Sequence, residues 1–191
     1  MINKTNQINN FVGQLLIASP SLNDPNFHQT VTYICENDES GSFGLIINRP
    51  MKTNISEVLN QLNLDTPTPN EPGNFPVLQG GPVGLERGFV LHKEGEWENT
   101  SRINEDISIT TSKDILLAMA SGNGPSESLL ILGYSGWGAG QLEQELKTNS
   151  WINAPASQDI LFTVPYKNRW EEAINLLGIN VSNISGQIGH A

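Results

Sequence analysis

The sequence predicts a single α+β domain built on a mixed or mostly antiparallel sheet. Short runs of β-branched, aromatic and aliphatic residues end in Gly, Pro and Asn clusters, the pattern of strands closed by turns. Helical periodicities fall between these runs without a regular strand and helix alternation, which favours α+β over a doubly wound parallel sheet. A length of 191 residues suits one core, since a domain commonly holds roughly 100 to 200 residues.

The polar stretch at residues 1–10 reads as a flexible tail of a domain spanning 1–191. Phe11 to Ala18 is a first strand, closed by Ser19 and Pro20, and Thr30 to Cys35 is a second. The loop ENDESGS leads into a third, Phe43 to Asn48, so the second and third strands form an antiparallel hairpin. Arg49 and Pro50 end it. Asn54 and Glu57 have capping-box spacing for a helix whose Ile55, Val58, Leu59 and Leu62 share a face. Asn63 to Pro76, with its four prolines, reads as a loop.

Val77 and Leu78 begin a strand that Gly80, Gly81 and Pro82 interrupt, and Gly88 to His92 resumes extended structure, predicting a second hairpin. Ile107 to Thr111 alternates as a strand, and Ser112 stands where a cap is needed for a helix, Lys113 to Ala120, that stops at Gly122. Leu129 to Leu132 is a buried-strand run. Gly133, Gly136, Gly138 and Gly140 after it predict a turn, beyond which Leu142 and Leu146 mark a helix. Unpaired N–H groups at such a helix start could hold an anion. Ile160 to Val164 reads as a strand, Pro165 as the first turn of a helix through Leu177, and the tail after Gly178 as a short strand.

Twenty acidic residues against ten basic ones give a net charge of -10, and the basic residues form no run. That balance disfavours direct nucleic-acid binding and attraction to anionic membranes. The first apolar segment is broken by Gly13 and Gln14, too short for a signal peptide or a membrane span. Cys35 is the one cysteine; a lone thiol fits a reducing compartment, hence the cytoplasm. Its place at the end of an apolar strand suggests a buried, unreactive residue rather than a nucleophile. His28, His92 and His190 lack ligand spacing, so neither a metal site nor a cofactor is expected.

The sequence around Ser135 (Gly133, Tyr134, Ser135, Gly136, Trp137) invites comparison with the nucleophile elbow G-x-S-x-G, but Trp137 replaces the last glycine. Downstream, only Asp159 and His190 supply an Asp then His order, so no catalytic residue is assigned, and a serine bonding local backbone is the simpler role. The glycines fail the P-loop and fall one residue short of the dinucleotide fingerprint. They read first as structural, so Gly138→Val should be far more damaging than Ser135→Ala. Anion binding is the alternative. Asn48 and Arg49 at a strand end, and Arg87 beside Gly80 and Gly81, are either anion clamps or internal loop ties. Trp137, Trp151 and Trp170 suit core or interface anchors. The candidate ligand-binding residues are therefore Asn48, Arg49, Gly80, Gly81, Arg87, Ser135, Gly136, Trp137, Gly138 and Gly140.

Several phrases together resemble one family. They are GQLLIASP at 13–20, YICEN at 33–37, GLIINRP at 44–50, LQGGPVGLERGFVLH at 78–92, TTSKDIL at 110–116, LGYSGWGAGQLEQEL at 132–146, the Arg169 and Trp170 pair, and the terminal GHA. The chain is similar to the AlgH/YqgE family of bacterial proteins, and Ser135 departs from it, since alanine is frequent there. The resemblance implies a barrel-like β core surrounded by helices and an association with regulating alginate synthesis. It carries no catalytic residues. The expected function is a non-catalytic binding or regulatory protein whose partner is a protein or a small anionic ligand. Two alternatives are an enzyme acting on a small anionic metabolite at Gly133 to Gly140, with Arg49 or Arg87 as clamp, and a direct DNA-binding regulator, which the charge disfavours.

Overall fold

A computed structural model describes residues 10–64 and 75–178. The tail before Asn10, most of the proline-rich loop, the strand expected after Gly178 and His190 lie outside the described residues. Ten strands form the sheet: β1 (Gln14–Ala18), β2 (Val31–Asp38), β3 (Gly41–Ile46), β4 (Pro50–Asn54), β5 (Pro76–Gln79), β6 (Val83–His92), β7 (Thr100–Arg102), β8 (Ser108–Thr110), β9 (Ser128–Gly138) and β10 (Trp151–Pro155). Their order is β10-β1-β2-β3-β9-β6-β8-β7, with β5 joining β4 to β9. Among the described residues every pairing is antiparallel except β5 with β9.

The sheet curves as a half-barrel around Leu15, Tyr33, Leu45, Leu91 and Ile131, all fully buried. The open side of this concave face is covered by a π-helical turn at Asp159–Thr163 and by helix α4 (Arg169–Asn175), whose Ile160, Leu161, Trp170 and Ile174 enter the same core. Arg169 is buried, yet it donates to the carbonyls of Ile47 (2.6 Å) and Val164 (2.9 Å) and stacks on Tyr166 at 4.4 Å. Burial lowers its pKa to about 10, so it stays cationic near neutrality and is held by carbonyl dipoles instead of a carboxylate. Trp170 donates to the Ala18 carbonyl at 2.9 Å. This Arg and Trp pair thus staples α4 to the sheet.

Two smaller cores lie on the convex side. Helices α1 (Ile55–Gln61) and α2 (Lys113–Ala120) pack Ile55, Leu59, Ile115 and Met119 against Val77, Val90 and Leu130. The Asn54 cap accepts from the Glu57 amide at 3.1 Å as its spacing predicts. Helix α3 (Gln141–Lys147) buries Leu142 with Phe11, Ile34, Trp137 and Trp151.

The α+β class, the β2–β3 hairpin and the helices after Asn54, Ser112 and Gly140 are as expected. Four readings need correction. The glycine stretch is not a turn, because β9 continues through Gly138, bent at Gly133 where φ is 73°, and Gly140, also at 73°, turns the chain into α3. Val77–Leu78 and Gly88–His92 are not a hairpin: β5 and β6 lie on opposite sides of β9, which supplies the partner for each. Ile160 to Val164 is helical, closed by a Val164 amide to Asp159 carbonyl bond of 2.8 Å; a five-residue apolar run has no period that separates the two states. Strand β3 ends before Arg49 and Pro50 as expected, but Pro50 then opens β4, a strand that was not expected, and β7 and β10 carried too little hydrophobic signal to be recognised.

Candidate ligand cleft at the barrel mouth

Strand β9 changes partners along its length. Its first half lies between β5 and β6, and its second half, Ser135 to Gly138, pairs with β3. Where β3 and β9 separate, Gly80 fills the gap: its carbonyl accepts from Ile46 at 2.9 Å and its amide donates to Leu132 at 2.8 Å. A Cβ on Gly81 would collide with the Tyr134 carbonyl, and one on Gly80 with that of Gly133. These glycines are therefore required by close approach of two backbones. Ser135 is fully buried there, its hydroxyl donating to the Gly80 carbonyl at 3.1 Å.

The neighbouring residue, Tyr134, points to the opposite face, into the mouth of the half-barrel. Phe43 from β3 and Phe89 from β6 stand 5.3 and 6.2 Å from its ring. Arg87 is exposed, with its guanidinium carbon 5.3 Å from the Tyr134 centroid and 5.9 Å from that of Phe89. Among the described residues it donates no hydrogen bond and meets no carboxylate within 4.0 Å; the ion pair found there is Lys93 with Glu127, at 2.7 Å. The aromatic rings supply cation–π attraction and leave the guanidinium donors free.

Glu36, Asn99, Ser101, Ile109 and Thr111 complete the walls of this cleft of about 330 Å³. Glu36 reaches it through a β-bulge: the β2–β3 register skips Cys35, so Glu36 pairs with Phe43. Cys35 itself is buried, its thiol pushed well above its usual pKa first by desolvation and then by the charge of Glu36. It is held as an unreactive thiol.

The other sequence-predicted residues do not join Arg87. Asn48 accepts from the Val31 amide at 2.9 Å and donates to Gln29 at 2.8 Å, while Arg49 donates to the carbonyls of Pro25 and His28, each at 3.1 Å. Both tie the 22–30 loop to the end of β3. Desolvation is the main cause of the lowered Arg49 pKa. Gly80, Gly81 and Ser135 form the sealed crossing. Trp137 packs at 5.9 Å from Trp151, and both indoles donate to one Glu145 oxygen, at 2.9 and 2.7 Å. Gly136 and Gly138 lie in the strand, and the Gly138 amide donates to the Gln141 side chain at 3.0 Å. Gly140 turns the chain into α3.

A family model described as AlgH-like matches residues 15–182. The chain belongs to the AlgH-like family. It is 48% identical to a UPF0301 protein of Nitrosococcus oceani over 95% of this chain and 97% of that one. With UPF0301 protein IL2218 of Idiomarina loihiensis it shares 46% identity over 96% and 100%. The solution structure of the AlgH protein from Pseudomonas aeruginosa is 44% identical, covers both chains completely and superimposes with a TM-score of 0.78. A crystal structure of protein DIP2367 from Corynebacterium diphtheriae, at 21% identity and a TM-score of 0.66 over 87% of each chain, shares the fold.

For this AlgH-like chain, sequence reasoning found Arg87 but missed Glu36, Phe43, Phe89, Asn99, Ser101, Thr111 and Tyr134. Strand parity could have joined Arg87 to Phe89, which lie two apart on one strand. The β2–β3 bulge and the strand order, which bring Glu36 and Tyr134 to the same place, had no local signature.

Proposed function

We propose that the protein is a non-catalytic binding protein with a regulatory role, and that the barrel mouth is its ligand seat. The observation that supports this is Arg87, stacked on Tyr134 and Phe89 in an open cleft without a carboxylate partner among the described residues. Its donors suit a carboxylate or phosphate, and the aromatic floor suits an apolar or planar group beside that anion. Glu36 on the facing wall disfavours a ligand of high negative charge. The buried, bonded hydroxyl of Ser135 favours this reading over acyl transfer at the glycine stretch. The acidic net charge favours a small anionic group or a protein segment over DNA. The lone buried thiol supports a cytoplasmic protein, and no helix among the described residues is long and apolar enough to cross a membrane.

The test is a nuclear magnetic resonance titration with phenylacetate, aliphatic carboxylates and phosphate monoesters. Shifts centred on Arg87, Tyr134 and Phe89 that vanish in Arg87→Ala are expected. Ligands that bind wild type and Arg87→Ala equally, or shifts confined to other faces, would reject the site.

A further inference from the structure

Strand β7 ends the sheet, and its register with β8 decides which of its backbone groups are used. The Ile103 amide bonds to Ile107 (2.9 Å) and the Thr111 amide to Asn99 (3.4 Å). Residues 99, 101 and 103 therefore bond inward, and alternation in an antiparallel ladder turns the N–H and C=O groups of Thr100 and Arg102 outward. No other backbone group among the described residues takes them. Ser101 and Arg102 are exposed and Thr100 is half-buried.

Both faces of this free edge carry clefts. Asn99 and Ser101 line the barrel mouth with Arg87 and the aromatic floor. Thr100 and Arg102 line a groove of about 570 Å³ on the other face, with Lys93, Glu94, Trp97 and Ser108. An added strand would send alternate side chains into the two clefts, with main-chain bonds giving affinity and the clefts giving sequence preference. A ligand that is small and discrete would use one cleft and leave this geometry idle.

Resting on the reading of the mouth as a ligand seat, we propose that the ligand is an extended segment of a partner protein. It adds to the β7 edge and carries a carboxylate side chain that faces Arg87 in the mouth. Charge complementarity selects a single acid in the mouth, because Arg87 is the cation of that cleft and Glu36 on the facing wall excludes further negative charge; at the edge, Arg102 and Lys93 stand among Glu94 and Glu96, so the outer groove carries mixed charge. The residues before and after the acid face the outer groove, beside Thr100 and Arg102.

Panning random 12-residue peptides displayed on phage against the full-length protein tests this, with recovered peptides measured by fluorescence polarisation. Acidic peptides should be enriched, and Arg87→Ala should abolish their binding. Arg102→Ala keeps the outward N–H and Arg102→Pro removes it without touching the inward ladder. The proline variant should bind at least ~tenfold more weakly than the alanine variant, the scale of one or two main-chain bonds. Hydrogen exchange on the wild-type protein supplies a readout independent of any substitution: saturating peptide should slow exchange of the Thr100 and Arg102 amides. Absence of enriched peptides, equal binding by the two Arg102 variants when both melt like wild type, or unchanged exchange at those amides would overturn the proposal. A protein dimer that Arg102→Pro dissolves would assign the edge to a second copy and overturn it as well. Phenylacetate bound through Arg87 with no peptide enriched would sink the edge proposal alone, leaving the mouth as a small-molecule seat.

Discussion

Tyr134 and Ser135 are adjacent in the chain and serve opposite ends. Ser135 is fully buried at the crossing of β3, β5 and β9, where its hydroxyl and the neighbouring amides are bonded within the protein. Tyr134 forms the floor of an open cleft, under a guanidinium without a carboxylate partner among the described residues. The crossing contains Gly80, Gly81 and Gly133, part of the glycine pattern that looks like a binding motif, whereas the mouth contains a guanidinium without a hydrogen-bond acceptor among the described residues and no motif. Glycines gathered by close backbone approach leave no room for a ligand, while a ligand needs unsatisfied groups that remain accessible. In the reading proposed above, the ligand sits on the Tyr134 side of the strand, away from the Gly80–Gly81 crossing that Ser135 seals.

The comparison breaks most readily at the crossing. Gly81→Val places a side chain into the Tyr134 carbonyl and should cost about 3 kcal/mol or more, seen as a collapsed thermal transition or loss of folded protein. A wild-type melting curve would show that the crossing is not closely packed. Ser135→Ala should cost about 1 kcal/mol, since the Gly80 carbonyl keeps its bond from Ile46. Gly138→Val should change stability by less than about 0.5 kcal/mol, because the nearest atom to its Cβ would be the Gln141 side-chain oxygen at 3.8 Å. This reverses the order that the sequence suggests, and denaturant titrations of the two variants check it.

His92 adds a pH-dependent contrast beside the outer groove. It is fully buried, with Nδ1 3.0 Å from the Glu94 carbonyl and Nε2 2.8 Å from the Thr110 hydroxyl. Burial lowers its pKa, so the unfolded chain takes up the proton first as pH falls. The stability it contributes is complete above the unfolded value of about 6.5 and is lost as pH falls through the folded pKa. Melting temperatures at about pH 7.5 and pH 5.5 should therefore drop more for wild type than for His92→Gln; parallel drops would assign the acid sensitivity to other groups. The smallest effect on stability belongs to the mouth. Arg87→Ala should leave the transition within about 0.5 kcal/mol of wild type while removing carboxylate binding. A large loss of stability would make Arg87 a structural residue and close the contrast.

Much of the framework was legible because it is local. The β-branched and aromatic run Val31–Cys35, the Asn54 cap and the helix start after Gly140 are settled by residues within a few positions of each other. The family resemblance was legible for a different reason, since phrases from Gly13 to Leu146 occur in order. By itself the sequence determined the α+β class, most strands and helices, the buried thiol, and Arg87 as a candidate. Only the tertiary structure decided that β5 and β6 flank β9, that Arg49 is consumed by the 22–30 loop, and that Glu36, Phe43, Phe89 and Tyr134 meet around Arg87. Those outcomes rest on which strands become neighbours and on one bulge in their register, which are properties of pairings between residues far apart in the chain. The number of residues separating two strands bounds their connection but does not choose the partner, so a site assembled across four strands has no signature along any one of them.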